Sequence, residues 1–100
     1  MKLFPLVAQS FAMCISAEVV RKLFVQLLSD IEKEDFKLLQ ITHHYCAGMK
    51  ANFTQVATEG LHWCRQSIGG AGFSGWSALP HLIQDYSPCV TYEGDNTVMA

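Results

Sequence analysis

The stretch that decides the fold is Phe36–Ile68, FKLLQITHHYCAGMKANFTQVATEGLHWCRQSI. Leu38, Ile41, Tyr45, Met49, Phe53, Val56, Gly60 and Trp63 recur every three or four positions, the period of one helix face. Gln40, His44, Gln55, Thr58, His62 and Arg65 fall away from that stripe. The spacing predicts a single helix of roughly 50 Å at 1.5 Å per residue. Gly48 and Gly60 inside it each cost about 1 kcal/mol relative to alanine, so close approach of another helix is expected at both.

Working back from this stretch, Asp30–Asp35 is a charged linker, preceded by a second apolar pattern from about Pro5 to Ser29. Pro5 suits a helix start, where the N–H it lacks would be unpaired. Hydrophobic residues go most of the way round this first helix, which predicts burial on more than one side. The uncharged run Leu3–Ala17 after Lys2 could pass for a signal peptide. Pro5, Gln9 and Ser10 interrupt it, however, and the pattern continues through Val19, Val20, Leu23, Phe24, Leu27 and Leu28. The run is read as too short to span a bilayer, and no membrane partner is expected. Asn52-Phe53-Thr54 is treated as a chance match to a glycosylation signal.

The totals agree with a segment meant to be covered by other protein. Half of the 100 residues are hydrophobic and only 16% are charged, against a usual charged share of about 25%. A net charge of −2 without a basic run gives no case for nucleic acid. Cys14, Cys46, Cys64 and Cys89 are far apart, and with His43, His44 and His62 they match no metal-ligand spacing, so no metal is expected. Two antiparallel helices cannot bury an all-round apolar helix alone, so the chain reads as an incomplete helical bundle that needs further helices or a partner subunit.

Working forward, Gly69-Gly70-Ala71-Gly72-Phe73-Ser74-Gly75 follows the long helix directly. One glycine suffices to cap a helix; the cluster also allows close approach of a phosphate to exposed backbone N–H groups. Both readings stand on the segment alone. Ser77–Tyr86 suggests a short helix ended by Pro88, with Leu79, Leu82 and Ile83 on one side. Thr91–Ala100 reads as a loop entering a new helix. In it, Glu93 is either a solvated residue at a helix start or a general base in an apolar setting.

Taken together, Gln66-Ser67-Ile68-Gly69-Gly70-Ala71-Gly72-Phe73 and Tyr92-Glu93-Gly94-Asp95-Asn96-Thr97-Val98-Met99 resemble the acyl-CoA oxidase and dehydrogenase superfamily. The first segment is similar to its flavin-contacting glycine turn, the second to its catalytic loop. Glu-Gly-Asp-Asn-Thr-Val looks like the oxidases. Lys2–Leu6, Ala47–Ala51 and Ala78-Leu79-Pro80 resemble further oxidase segments, so the likeness covers essentially residues 1–100. Ala71 and Phe73 stand where oxidases commonly carry histidine and tyrosine, and Gln66 is more like the dehydrogenases.

The resemblance implies an all-α partial C-terminal domain of a peroxisomal, FAD-dependent acyl-CoA oxidase: two long antiparallel helices, a glycine-rich turn and a catalytic loop. It implies that Glu93 removes the α-proton of an acyl-CoA thioester while flavin takes the β-hydride, giving a trans-2-enoyl-CoA. Molecular oxygen then reoxidises the flavin to yield hydrogen peroxide. Gly94 would make room for substrate. Gln66, Ser67, Ile68, Gly69 and Gly70 would contact FAD, the one held mainly by a neighbouring subunit of a homodimer. Asp95, Asn96 and Thr97 would approach FAD at a helix N-terminus. The alternatives are a dehydrogenase serving an electron-carrier protein, and a truncated, non-catalytic helical interaction module.

Overall fold

The computed structural model describes residues 2–100. Two helices dominate: α1, Leu3–Glu32, and α2, Lys37–Ser67. They lie antiparallel, so that Leu6 near the start of α1 meets Gly60 near the end of α2. Two 3-10 turns, Gly69–Phe73 and Gly75–Ser77, lead into α3, Leu79–Tyr86. A third, Ser87–Val90, leads to the one-turn α4, Asn96–Met99. The described residues contain no strand, in agreement with the all-α expectation.

Pro5 sits in the first turn of α1, as its missing N–H requires. The far end of α1 closes with a Schellman arrangement. Asp35 N–H donates to Asp30 O at 2.9 Å and Glu34 N–H to Ile31 O at 3.0 Å. The left-handed residue of that motif is Glu34, at φ 59°, where glycine would be unstrained; a side chain there costs about 1 kcal/mol. Asp35 Oδ1 then accepts from Lys37 N at 3.1 Å, satisfying a free donor at the start of α2. The charged linker therefore works as two caps placed back to back.

The interface between α1 and α2 is narrower than the apolar stripe suggests. Leu27, Thr42 and Ala51 are buried, while Ile41, Tyr45 and Trp63 stay about half exposed. Small residues set the approach: a Cβ on Gly60 would lie 3.1 Å from Leu6 Cδ2. Gly48 departs from the expectation, because a Cβ there would meet nothing within 4 Å. It opens instead onto a cleft of about 540 Å³ beside Asn52, Gln55 and Thr97. α3 packs against α2 at the Gly60 end, where Leu6, Met13, Val56, Leu82 and Tyr86 line an apolar groove of about 360 Å³.

The opposite face of α1 is bare. Phe4 is 77% and Phe11 70% exposed, in line with Val7, Ile15 and Val19 at helical spacing. The radius of gyration is 17.0 Å over extents of 57 × 25 × 22 Å, against about 13 Å for a compact 100-residue domain. A rod of this shape has length without a deep core, as the incomplete-bundle reading requires. One expectation needs correcting. α1 runs past Ala17 for a total of 30 residues, which by length and composition is enough to cross a membrane. Counting only the uncharged run understated it, since the helix continues through Glu18, Arg21 and Lys22, with Glu18 and Arg21 paired at 2.7 Å.

Candidate functional site

The residues singled out from the sequence fall into two groups at different levels of α2. The first is the glycine segment at its C-terminal end. Gly69 takes φ +60° and turns the chain out of the helix. Gly72 then folds back so tightly that a Cβ would lie 2.3 Å from Arg65 O. The Arg65 guanidinium carbon stands 5.3 Å from the centre of the Phe73 ring, near enough for a cation–π contact that holds the turn. Gln66, Ser67, Ile68, Gly69 and Gly70 are all exposed. Ser67 Oγ donates to Trp63 O at 2.8 Å, which leaves its lone pairs open. A Cβ on Gly70 would meet nothing within 4 Å, so the backbone is approachable there. Phe73 (83% exposed) and Trp76 (100%) present aromatic surface beside it.

The second group is the loop before α4. Glu93 takes φ +56° and Gly94 φ +97°, two consecutive left-handed residues. Glycine suits position 94 because φ +97° is a conformation that side chains rarely adopt; the 2.7 Å approach of a Cβ to Met99 Sδ would be relieved by a shift of that flexible side chain. Glu93 is a non-glycine residue held in a costly conformation, a condition that persists only where the surroundings enforce it. Its carboxylate is exposed at the tip of the loop. Just before it, the Tyr92 hydroxyl lies 2.9 Å from Cys89 Sγ. That hydrogen bond, followed by the charge Cys89 can carry, pushes the Tyr92 phenol above its ordinary range.

The enforcement comes from α2. Lys50 Nζ donates to Gly94 O and, at 2.8 Å, to Asn96 Oδ1. Asn96 Nδ2 donates to Ala51 O at 3.0 Å and to Thr54 Oγ1 at 2.9 Å. The Thr54 hydroxyl donates to Lys50 O at 2.7 Å. Asp95 caps α4 by accepting from Thr97 N at 3.0 Å. Thus the side chain of Asn96 is committed to α2, although the resemblance assigned it to FAD; Asp95 and Thr97 remain exposed.

Lys50 and Ile68 are eighteen positions apart, so the two groups are separated by about 27 Å along the α2 axis. One chain does not bring them together. Sequence reasoning missed Lys50, Ala51 and Thr54 because their partners lie more than forty positions away. It passed over Gly72 in favour of the neighbouring glycine pair.

Comparison with known proteins bears on the whole chain. Residues 1–100 match the family described as acyl-CoA oxidase, C-alpha1 domain. Peroxisomal acyl-coenzyme A oxidase 2 of Rattus norvegicus is 40% identical over 98 residues, covering 98% of this chain and 14% of the relative. Peroxisomal acyl-coenzyme A oxidase 1 of Mus musculus is 35% identical and that of Arabidopsis thaliana 36%, each over 98% of this chain and 15% of the relative. The chain spans about one-seventh of the length of these curated relatives. With its full length matched and its helices, glycine turn and glutamate loop in place, the chain belongs to the acyl-CoA oxidase family, as a C-alpha1 domain.

Proposed function

We propose that these 100 residues form part of a peroxisomal acyl-CoA oxidase in which Glu93 is the base that removes the substrate α-proton. The observation that carries the reading is the Glu93–Gly94 pair, two left-handed residues clamped from α2 with the carboxylate free at the tip. Strain of this kind costs about 1–3 kcal/mol and is characteristic of active sites. A carboxylate held by backbone and exposed to an incoming thioester keeps its position while it takes a proton, which is what general-base catalysis demands. Gly94, without a side chain, leaves the carboxylate's flank open.

FAD fits the other group. The exposed segment Gln66–Gly70 offers approachable backbone with an open side at Gly70, and Asp95 and Thr97 offer polar groups at the second level. When bound there, FAD would supply the acceptor for the β-hydride, with molecular oxygen as the final oxidant that leaves as hydrogen peroxide. The separation of the two groups along α2 supports a homodimer, in which the glycine turn contacts the FAD held mainly by the neighbouring subunit. The bare face of α1 and the exposed Phe73 and Trp76 are surfaces for the remainder of such an assembly.

The test is Glu93→Gln in the protein that carries this segment, read by rapid mixing with an acyl-CoA. Flavin bleaching is expected to slow by about 10²–10⁴-fold with FAD content unchanged; bleaching at the parent rate would sink the assignment. Steady peroxide release separates an oxidase from a dehydrogenase, the alternative that Gln66 resembles.

A further inference from the structure

The loop that presents Glu93 touches α2 through a small, part-buried polar cluster that the proposed chemistry does not itself use. Lys50 contributes an ammonium donor to Gly94 O and to Asn96 Oδ1. Thr54 and the Ala51 carbonyl receive both protons of the Asn96 amide. Every bond crosses from the middle of α2 to the residues immediately following Glu93. We propose that Lys50 is a positioning residue, whose ammonium group fixes the left-handed Glu93–Gly94 pair and so sets where the carboxylate stands. This rests on Glu93 being the base.

The physical argument is one of directionality. A left-handed glutamate relaxes toward the ordinary right-handed or extended regions unless the residue after it is anchored. Lys50 anchors the Gly94 carbonyl, the first backbone acceptor beyond Glu93 whose position depends on Glu93 ψ. The bond is charge-assisted, about twice as strong as a neutral one. Asn96 supplies the second anchor, and its amide is oriented by needing an acceptor toward Lys50 and donors toward Ala51 and Thr54. Asn96 therefore holds the loop against α2, and Lys50 holds it at a fixed height.

The experiment compares Lys50→Met, Lys50→Arg, Glu93→Gln and the double variant Glu93→Gln with Lys50→Met, all in the protein carrying this segment. Lys50→Met keeps most of the unbranched side chain and removes its donors. Amide hydrogen exchange at Tyr92, Thr97 and Val98, each bonded within this loop, is expected to accelerate in Lys50→Met and to match the parent in Glu93→Gln. Flavin bleaching is expected to slow by about 10²-fold in Lys50→Met, the scale of a misplaced catalytic group, while a non-reacting acyl-CoA analogue binds as before. Lys50→Arg, which retains the positive charge and N–H donors, is expected to recover part of the rate.

The double variant is expected to bleach no more slowly than Glu93→Gln alone, since a residue that acts only through Glu93 has nothing left to position. Multiplied defects in the double variant would overturn the proposal, as would unchanged exchange in Lys50→Met. If Lys50→Met does not fold, Lys50→Leu makes the same test with a shorter helix-forming side chain that likewise carries no donor; unchanged exchange there overturns it equally. Bleaching of Glu93→Gln at the parent rate would instead sink the base assignment, and the exchange result would still decide the clamp.

Discussion

A Cβ placed on Gly72 would lie 2.3 Å from the carbonyl oxygen of Arg65. The turn after α2 is thus built by one glycine pressed against the last turn of the helix. Gly72→Ala is expected to open it. No flexible side chain can give way, because the obstacle is backbone. Loss of the Arg65–Phe73 contact should follow, with destabilisation of about 1–3 kcal/mol, the range for overpacking. Denaturant unfolding of this variant beside Ser74→Ala checks it; a midpoint equal to the parent's would contradict the expectation.

Gly70, two positions earlier, predicts a different outcome. With open space at its Cβ position, Gly70→Val should leave the unfolding midpoint within about 0.5 kcal/mol of the parent, as for an exposed site. It should lower FAD occupancy of the assembled oxidase, since a branched side chain would occupy the open side of the turn. Flavin absorbance per mole of purified protein measures this directly.

Thr42 is buried, and its Oγ1 has no hydrogen-bond partner among the described residues. An unpaired buried hydroxyl costs about 1–3 kcal/mol. Thr42→Val replaces it with a methyl of nearly the same shape and is expected to stabilise the helix pair by about 1 kcal/mol. Thermal unfolding followed by circular dichroism provides the check, and a lower midpoint would show that the hydroxyl is in fact satisfied.

The Tyr92 phenol is held above its ordinary pKa of about 10, chiefly by its hydrogen bond with Cys89. A group whose folded value is raised contributes stability that is complete below the unfolded value and is lost as pH rises through the folded one. Absorbance of tyrosinate should therefore place Tyr92 higher in the native protein than in denaturant. Cys89→Ala should bring it down toward the ordinary value; no change in that variant would remove Cys89 as the cause.

These expectations mark where the sequence was legible. Periodicity located α1 and α2 within about three residues at each end, because burial of one face repeats locally along the chain. The same periodicity misjudged the interface. It placed Ile41, Tyr45 and Trp63 on one apolar stripe, yet they stay about half exposed, while the small residues Ala51 and Gly60 are buried. Gly48 was assigned to the same contact and faces a cleft. At the site, the Glu93 and Gly69–Gly70 segments were legible as motifs. The Lys50–Asn96 clamp was not, since no local pattern encodes a hydrogen bond across 46 positions.

The pairing of Leu6 with Gly60 also has a consequence during synthesis. At about 5–20 residues per second, several seconds separate the appearance of Leu6 from that of the glycine that receives it. From the addition of Glu32 until Gly60 appears, the later half of that interval, α1 is a finished apolar helix without its neighbour, the kind of nascent segment that chaperones retain. A slow-codon cluster within Phe36–Ile68 would lengthen the interval, so yield in the cell should respond to synonymous changes there while the purified protein stays the same.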